Sequence, residues 1–218
     1  MSEPSKTQWH TLLGKFLETL LTPVGIDVST NVAVMSSPPE ADILLLRRHR
    51  AHWSAEQMAR LPDGIRNSKA SHVLIEFKYT ESFNNHAMRQ AIGYDYFYQQ
   101  AHELKRHDLQ TVVASAKTPR KATLERLGYT ETTCEGVYRS QYSVLEDIVL
   151  LVLNELADTP HNAPIKCFAS RRQVKRNALT TLRHGDLSVH SKKFWWLLHG
   201  LWNYWFSQGG DNMTEDVL

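Results

Sequence analysis

The stretch Val73-Leu74-Ile75-Glu76-Phe77-Lys78-Tyr79 decides how this chain is read. Its β-branched and aromatic content predicts a strand. Residues two apart in a strand share a face, so Glu76 and Lys78 project together. Val73, Ile75, Phe77 and Tyr79 take the other face. Leu74 lies on the same side as Glu76 and Lys78, which makes that side more than a solvated surface. A carboxylate and an amine are being placed at the rim of a core.

Upstream, Asp42 opens the apolar run Ile43-Leu44-Leu45-Leu46, of strand length and apolar on both faces. The turn Ser36-Ser37-Pro38-Pro39 precedes it. Alternation over residues 26–34 predicts a strand with one apolar face. Trp9, Leu12, Leu13, Phe16, Leu17, Leu20 and Leu21 predict an amphipathic helix stopped near Pro23. Ser54 and Gln57 have capping-box spacing for a short helix that Pro62-Asp63-Gly64 ends.

Downstream, a long helix is expected over residues 83–104 and a strand over 109–116. Pro119 suits the first turn of a helix that Gly128 terminates. A strand is expected over 137–142. Residues 148–153 fit a buried strand or a buried helix equally. Helices are expected over 163–182, which is basic, and over 194–206, which is aromatic-rich. The expected fold class is α/β: a mixed central β-sheet flanked by helices over residues 1–160, with a C-terminal helical extension over 161–218.

The net charge of +2 argues against a polyanion coat and leaves local basic patches open. Cys134 and Cys167 form no disulfide framework or zinc motif, and the eleven histidines are scattered. Met1-Ser2-Glu3-Pro4-Ser5 lacks the features of a secretory signal, and no apolar run spans a bilayer. A cytoplasmic protein that does not use a membrane is expected.

If the Asp42 and Glu76 strands are neighbours, two carboxylates and one ammonium converge. With a backbone carbonyl, such carboxylates form a hard oxygen site for Mg²⁺ or Mn²⁺. The lysine can orient or deprotonate a water and neutralise charge on a phosphoryl transition state. Gln90 and Tyr94 are one helical turn apart, in a stripe with Phe97, Ala101 and Leu104. Gln90 is the polar member that the apolar pattern does not explain.

Glu40-Ala41-Asp42, Ile75-Glu76-Phe77-Lys78 and Gln90-Ala91-Ile92-Gly93-Tyr94 together resemble the PD-(D/E)xK nuclease superfamily. The Gln-x-x-x-Tyr element is similar to that of its recombination-exonuclease branch. With residues 162–172, the general look resembles the bacterial transposase-like, recombination-promoting nucleases. The motif-bearing part covers roughly residues 10–116. The resemblance implies a restriction-endonuclease-like core. It implies that Asp42, Glu76 and the Phe77 carbonyl bind Mg²⁺ or Mn²⁺, that Lys78 acts on the water, and that Gln90 and Tyr94 support the site. Some members add a glutamate from the first helix; Glu18 is the candidate, against a plain solvated residue. Ala41 stands where the family's name has proline.

Arg47, Arg48, His49, Arg50 and His52 follow the Asp42 strand and are either phosphate contacts near the site or a solvated hairpin. Arg171, Arg172, Lys175 and Arg176 fit a nucleic-acid backbone track or a solvated helix face. Phe194, Trp195, Leu198, Leu201, Trp202 and Trp205 form a broad apolar face, expected at a homodimer contact or packed across the sheet. The expected function is Mg²⁺-dependent cleavage of DNA in recombination or mobile-element biology. The alternatives are an RNA-directed nuclease and an inactive nucleic-acid-binding or assembly protein on the same fold.

Overall fold

A computed structural model of the chain describes residues 6–30, 43–50, 52–184 and 192–206. Helix α1 (Lys6–Leu21) leads into β1 (Asp27–Thr30), β2 (Ile43–Arg47), the short α2 (Ala55–Met58) and β3 (His72–Lys78). Then come α3 (Asn85–Ala101), β4 (Leu109–Ser115), α4 (Lys121–Arg126), β5 (Glu131–Cys134), β6 (Val137–Arg139) and β7 (Ile148–Val152). Helices α5 (Ala163–Lys166), α6 (Arg172–His184) and α7 (Lys192–Phe206) follow. The strands form one seven-stranded sheet in the order β1-β2-β3-β4-β7-β6-β5. The β3/β4 and β4/β7 pairs are parallel and the others antiparallel, so the sheet is mixed and the fold is α/β.

Side-chain alternation divides the sheet into two faces. On one face, Val73, Ile75 and Phe77 of β3 join Leu13, Phe16 and Leu20 of α1 in a large apolar cluster. A Cβ on Gly14 would run into the Thr30 side chain, so glycine lets α1 ride close over the sheet edge without displacing it. Ala178 of α6 and Phe194 and Leu198 of α7 belong to the same cluster. The C-terminal helices and the sheet therefore share one core.

On the other face, α3 crosses from β3 to β4. Leu45 and Leu74 pack with Tyr98 and Leu109, while Val113 and Leu150 pack with Phe83, Met88, Ala91 and Tyr129. After Leu74, the next two residues of β3 on this face are Glu76 and Lys78. Asn84 fixes the start of α3 by accepting from the backbone N–H groups of His86 and Ala87. Ser54 and Gln57 form the expected capping box at α2. Gly128 ends α4 with a φ of 70°.

Several elements depart from expectation or decide an open alternative. Pro119 lies before the N-cap Arg120, outside the helix. Strand β5, exposed along its whole length, has no apolar alternation to announce it. Residues 148–152 are a strand because β4 and β6 flank them on both sides. The helix expected over 163–182 is two helices. Between them the Ser170 N–H donates to the Ala116 carbonyl and the Arg171 N–H to Asn154 Oδ1, which takes both donors out of a helical ladder. Among the described residues, no helix is long and apolar enough to cross a membrane.

Much of the apolar face of α7 is buried within the chain. Phe194, Leu198 and Leu201 are buried, leaving Trp195 and Trp196 exposed. Trp205 lies parallel to Trp9, which stacks on Tyr79 at 3.8 Å. Lys175 reaches into this group, donating to Tyr79 Oη at 3.1 Å with its ammonium 4.6 Å from the Trp205 ring centroid. Burial pushes the Lys175 amine down to about 8, against a smaller upward pull from Cys167. A folded-state value below the unfolded 10.5 means that the unfolded chain binds more protons between the two values. The cost of burying the charge is therefore full below pH 8 and recedes as pH rises through that window. Melts of wild type and Lys175→Met at pH 7 and pH 10 are expected to show the balance moving toward wild type at the higher pH. A shift toward the variant would contradict this assignment.

Candidate active site

The C-terminal half of β3 carries two charged side chains into the layer between sheet and helix. The Lys78 side chain has 0% exposure and that of Glu76 has 3%. Lys78 Nζ lies 2.5 Å from Glu76 Oε1 and donates to Gln90 Oε1 at 2.9 Å. Gln90 Nε2 donates to Tyr94 Oη at 2.8 Å, which fixes the amide so that its carbonyl faces the ammonium. Glu81 Oε2 stands 3.7 Å from the same ammonium. A polar chain thus runs Glu76–Lys78–Gln90–Tyr94 between strand and helix.

Register explains the convergence. Glu76 is opposite Ile43 on one side and Val113 on the other, and Lys78 is opposite Ser115. These positions lie toward the C-terminal ends of the parallel strands, where open α/β sheets place their sites. Helix α3 is held above them from its far side. Asp95 accepts from Thr111 Oγ1 at 2.6 Å and from Arg106 Nη1 at 2.6 Å, and Arg106 also pairs with Asp147.

An apolar pair would pin α3 to β3 without desolvating two charges, because a buried ion pair rarely stabilises more than a hydrophobic replacement. A desolvated carboxylate–ammonium pair with an oriented amide is suited to chemistry instead. The ammonium has three donors, and Gln90 and Glu76 take two of them. The carboxylates of Glu76 and Glu81 are hard oxygen donors of the kind Mg²⁺ and Mn²⁺ prefer. The Phe77 carbonyl sits between Glu76 and Lys78 in the chain, while the Phe77 ring is buried on the opposite face. Among the described residues, no three His, Cys, Asp or Glu side chains gather as a metal-binding group. Asp42, the expected second carboxylate, lies outside the described residues and directly precedes Ile43 in sequence.

The structure brings together Glu76, Lys78, Gln90 and Tyr94. It does not bring Glu18 to them: Glu18 is exposed on α1, and α1 covers the Phe77 face of β3. The stripe expected on α3 is also displaced. Phe97 is 42% exposed, and the buried residues are Ala87, Met88, Ala91 and Tyr98, so Gln90 and Tyr94 stand at the margin of the packed face.

The basic run after β2 falls at the wrong edge for the site. Arg47 pairs with His72 at the start of β3. It is about 13 Å along β2 from Ile43, at ~3.3 Å per residue. Arg47 and Arg50 are exposed there, while Arg48 is buried, bonded to the Lys69 carbonyl and stacked over Trp53 at 5.2 Å. Of the α6 cations, Lys175 is buried, and the guanidinium groups of Arg172 and Arg176 lie 5.2 and 5.5 Å from the Phe206 ring centroid. Arg171 is exposed. The four do not form one open track, because α7 engages three of them.

Sequence reasoning missed Glu81, three residues after Lys78 in the loop leading to α3, and the Thr111–Asp95–Arg106 chain. The spacing Lys78-x-x-Glu81 was a visible signal; the second depends on the β4 register.

Removing either member of the buried pair strands the other. Glu76→Gln and Lys78→Met are each expected to destabilise by about 3–5 kcal/mol, and the double variant by less than their sum. Urea denaturation of all four proteins measures this; strict additivity would show that the two charges do not interact. No family model matches the chain, and no curated protein or solved structure matches it either.

Proposed function

We propose that the chain is a metal-dependent phosphodiesterase acting on nucleic acid, with DNA as the substrate to test first. The desolvated Lys78 ammonium, held between Glu76 and the oriented amide of Gln90, carries this proposal. The resemblance to PD-(D/E)xK nucleases supports it, since that motif's glutamate, lysine and glutamine are the side chains that meet here.

Glu76, the Phe77 carbonyl and Asp42 would hold a Mg²⁺ or Mn²⁺ ion. The ion, when bound, supplies Lewis-acid polarisation of a phosphoryl oxygen and makes a water more acidic. Beyond the donors taken by Glu76 and Gln90, Lys78 has a third N–H, with Glu81 Oε2 3.7 Å from the nitrogen, to direct at a phosphate oxygen or at the attacking water. Its position is fixed before substrate arrives, so the donor needs little reorganisation as charge develops. Gln90 and Tyr94 act as positioning residues through Lys78. Burial beneath α3 keeps bulk water from the ammonium and strengthens its interaction with an anion.

A labelled DNA fragment is expected to be cut with Mg²⁺ or Mn²⁺ and left intact with EDTA. Asp42→Asn, Glu76→Gln and Lys78→Met should each lower the rate by about 10²-fold or more, with circular dichroism confirming folded protein. Gln90→Ala should lower the rate by about tenfold with the fold unchanged. Metal-dependent cutting that survives the Glu76 and Lys78 changes would place the chemistry elsewhere and overturn this proposal.

A further inference from the structure

The face of α3 that turns away from the core begins beside Gln90. At 3.6 residues per turn, Gly93 and Phe97 follow Gln90 along one side of the helix, with Arg89 and Tyr96 flanking them. Tyr96 is 56% exposed and Phe97 42%, and their rings meet edge to face at 5.6 Å. A Cβ placed on Gly93 would meet nothing within 4 Å, so the surface between Gln90 and Phe97 is open down to the helix backbone. Among the described residues, each of these two rings has only the other as a ring partner.

Charge tells what fits there. Asp95 is the one acid in α3, and it is turned toward β4, bonded to Thr111 and Arg106. Arg89 and His86 are exposed on the helix. An open helix face with a cation, two aromatic rings and no outward carboxylate of its own suits a polyanion that carries flat apolar groups; the half-exposed Glu81 stands at its Lys78 end, where the proposed metal would offset its charge. Phe97 is about 10 Å from Gln90 along the axis at ~1.5 Å per residue. That is about three nucleotides of a stacked strand at ~3.4 Å each.

We propose that this face of α3 is a stacking platform for unpaired bases of a nucleic-acid strand that continues from the Lys78 site. Phe97 and Tyr96 take the bases, Arg89 takes a backbone phosphate, and Gly93 lets the strand approach the helix. The platform rests on the phosphodiesterase proposal for the identity of the ligand and sets its substrate class: a single strand, or a duplex end with an unpaired tail. Paired bases present no free faces to the rings.

The test is equilibrium binding without divalent metal, so that no cutting occurs. The probes are a fluorescent single-stranded DNA, the same strand with abasic spacers, and a blunt duplex. Both rings are exposed, so Tyr96→Ala/Phe97→Ala is expected to fold, and Tyr96→Phe/Phe97→Trp keeps two ring faces. The alanine variant should lose about fivefold or more in affinity for the single strand and little for the abasic strand or the duplex. Its salt dependence should stay unchanged, since no phosphate contact is removed. The aromatic variant should bind like wild type. Equal losses on all three probes, or no loss on the single strand, would overturn the platform. So would a dimer-to-monomer change in light scattering that accompanies equal losses, which would assign the rings to a second copy of the chain. Cutting that persists with no effect of the alanine variant sinks the platform alone. Base-dependent binding without metal-dependent cutting sinks the phosphodiesterase reading and leaves the platform standing.

Discussion

An ammonium group with no solvent contact imposes conditions on everything around it. Lys78 must find its acceptors inside the protein, and the nearest are Glu76 on its own strand and Gln90 on the helix above. The bond to Gln90 fixes the rotation and height of α3 at one point, and the bond to Glu76 holds the ammonium in place for it. The Thr111–Asp95–Arg106 chain fixes a second point, on the far side of the helix. A helix held on both sides cannot rock without breaking a charge-assisted bond. The open face of α3 therefore keeps a fixed relation to the buried ammonium.

The elements that set this arrangement were largely visible in the amino-acid sequence. β3 announced itself through β-branched residues, and its alternation placed Glu76 and Lys78 on one face. The one-turn spacing of Gln90 and Tyr94 placed them together on α3. What failed were inferences from nearness in the chain. Arg47 follows the Asp42 strand closely, yet a strand is an extended rod, and its two ends open on opposite edges of the sheet. Phe97 has helical spacing with Gln90, yet it points outward because Ala91 and Tyr98 define the packed side. β5 could not be read because its exposed side chains carry no pattern; its hydrogen bonds to β6 alone make it a strand.

The same distinction governs charge. The α6 segment looks like a cationic stripe in sequence, but aromatic side chains of α7 meet its groups. Lys175 lies over Trp205, and Arg172 and Arg176 lie over Phe206. Ring faces attract cations, so a basic helix and an aromatic helix are natural partners. Formal charge along a chain thus overstates the charge that a solvated anion meets. That much of the apolar face of α7 and three cations of α6 meet within one chain follows from a single packing arrangement.

The parallel pairing of β3 and β4 has a consequence for the order of folding. No hairpin can join parallel strands, so the chain must close a crossover of about 30 residues through α3 before the two meet. Until α3 docks, Glu76 and Lys78 keep their water. If α3 docks after the folding transition state, desolvation of the pair falls late in assembly, where native contacts beside it already offset its cost. Changes at the pair should then alter the unfolding rate more than the folding rate. Residues that prolong the native state would then include the ones that are proposed to act on a phosphate.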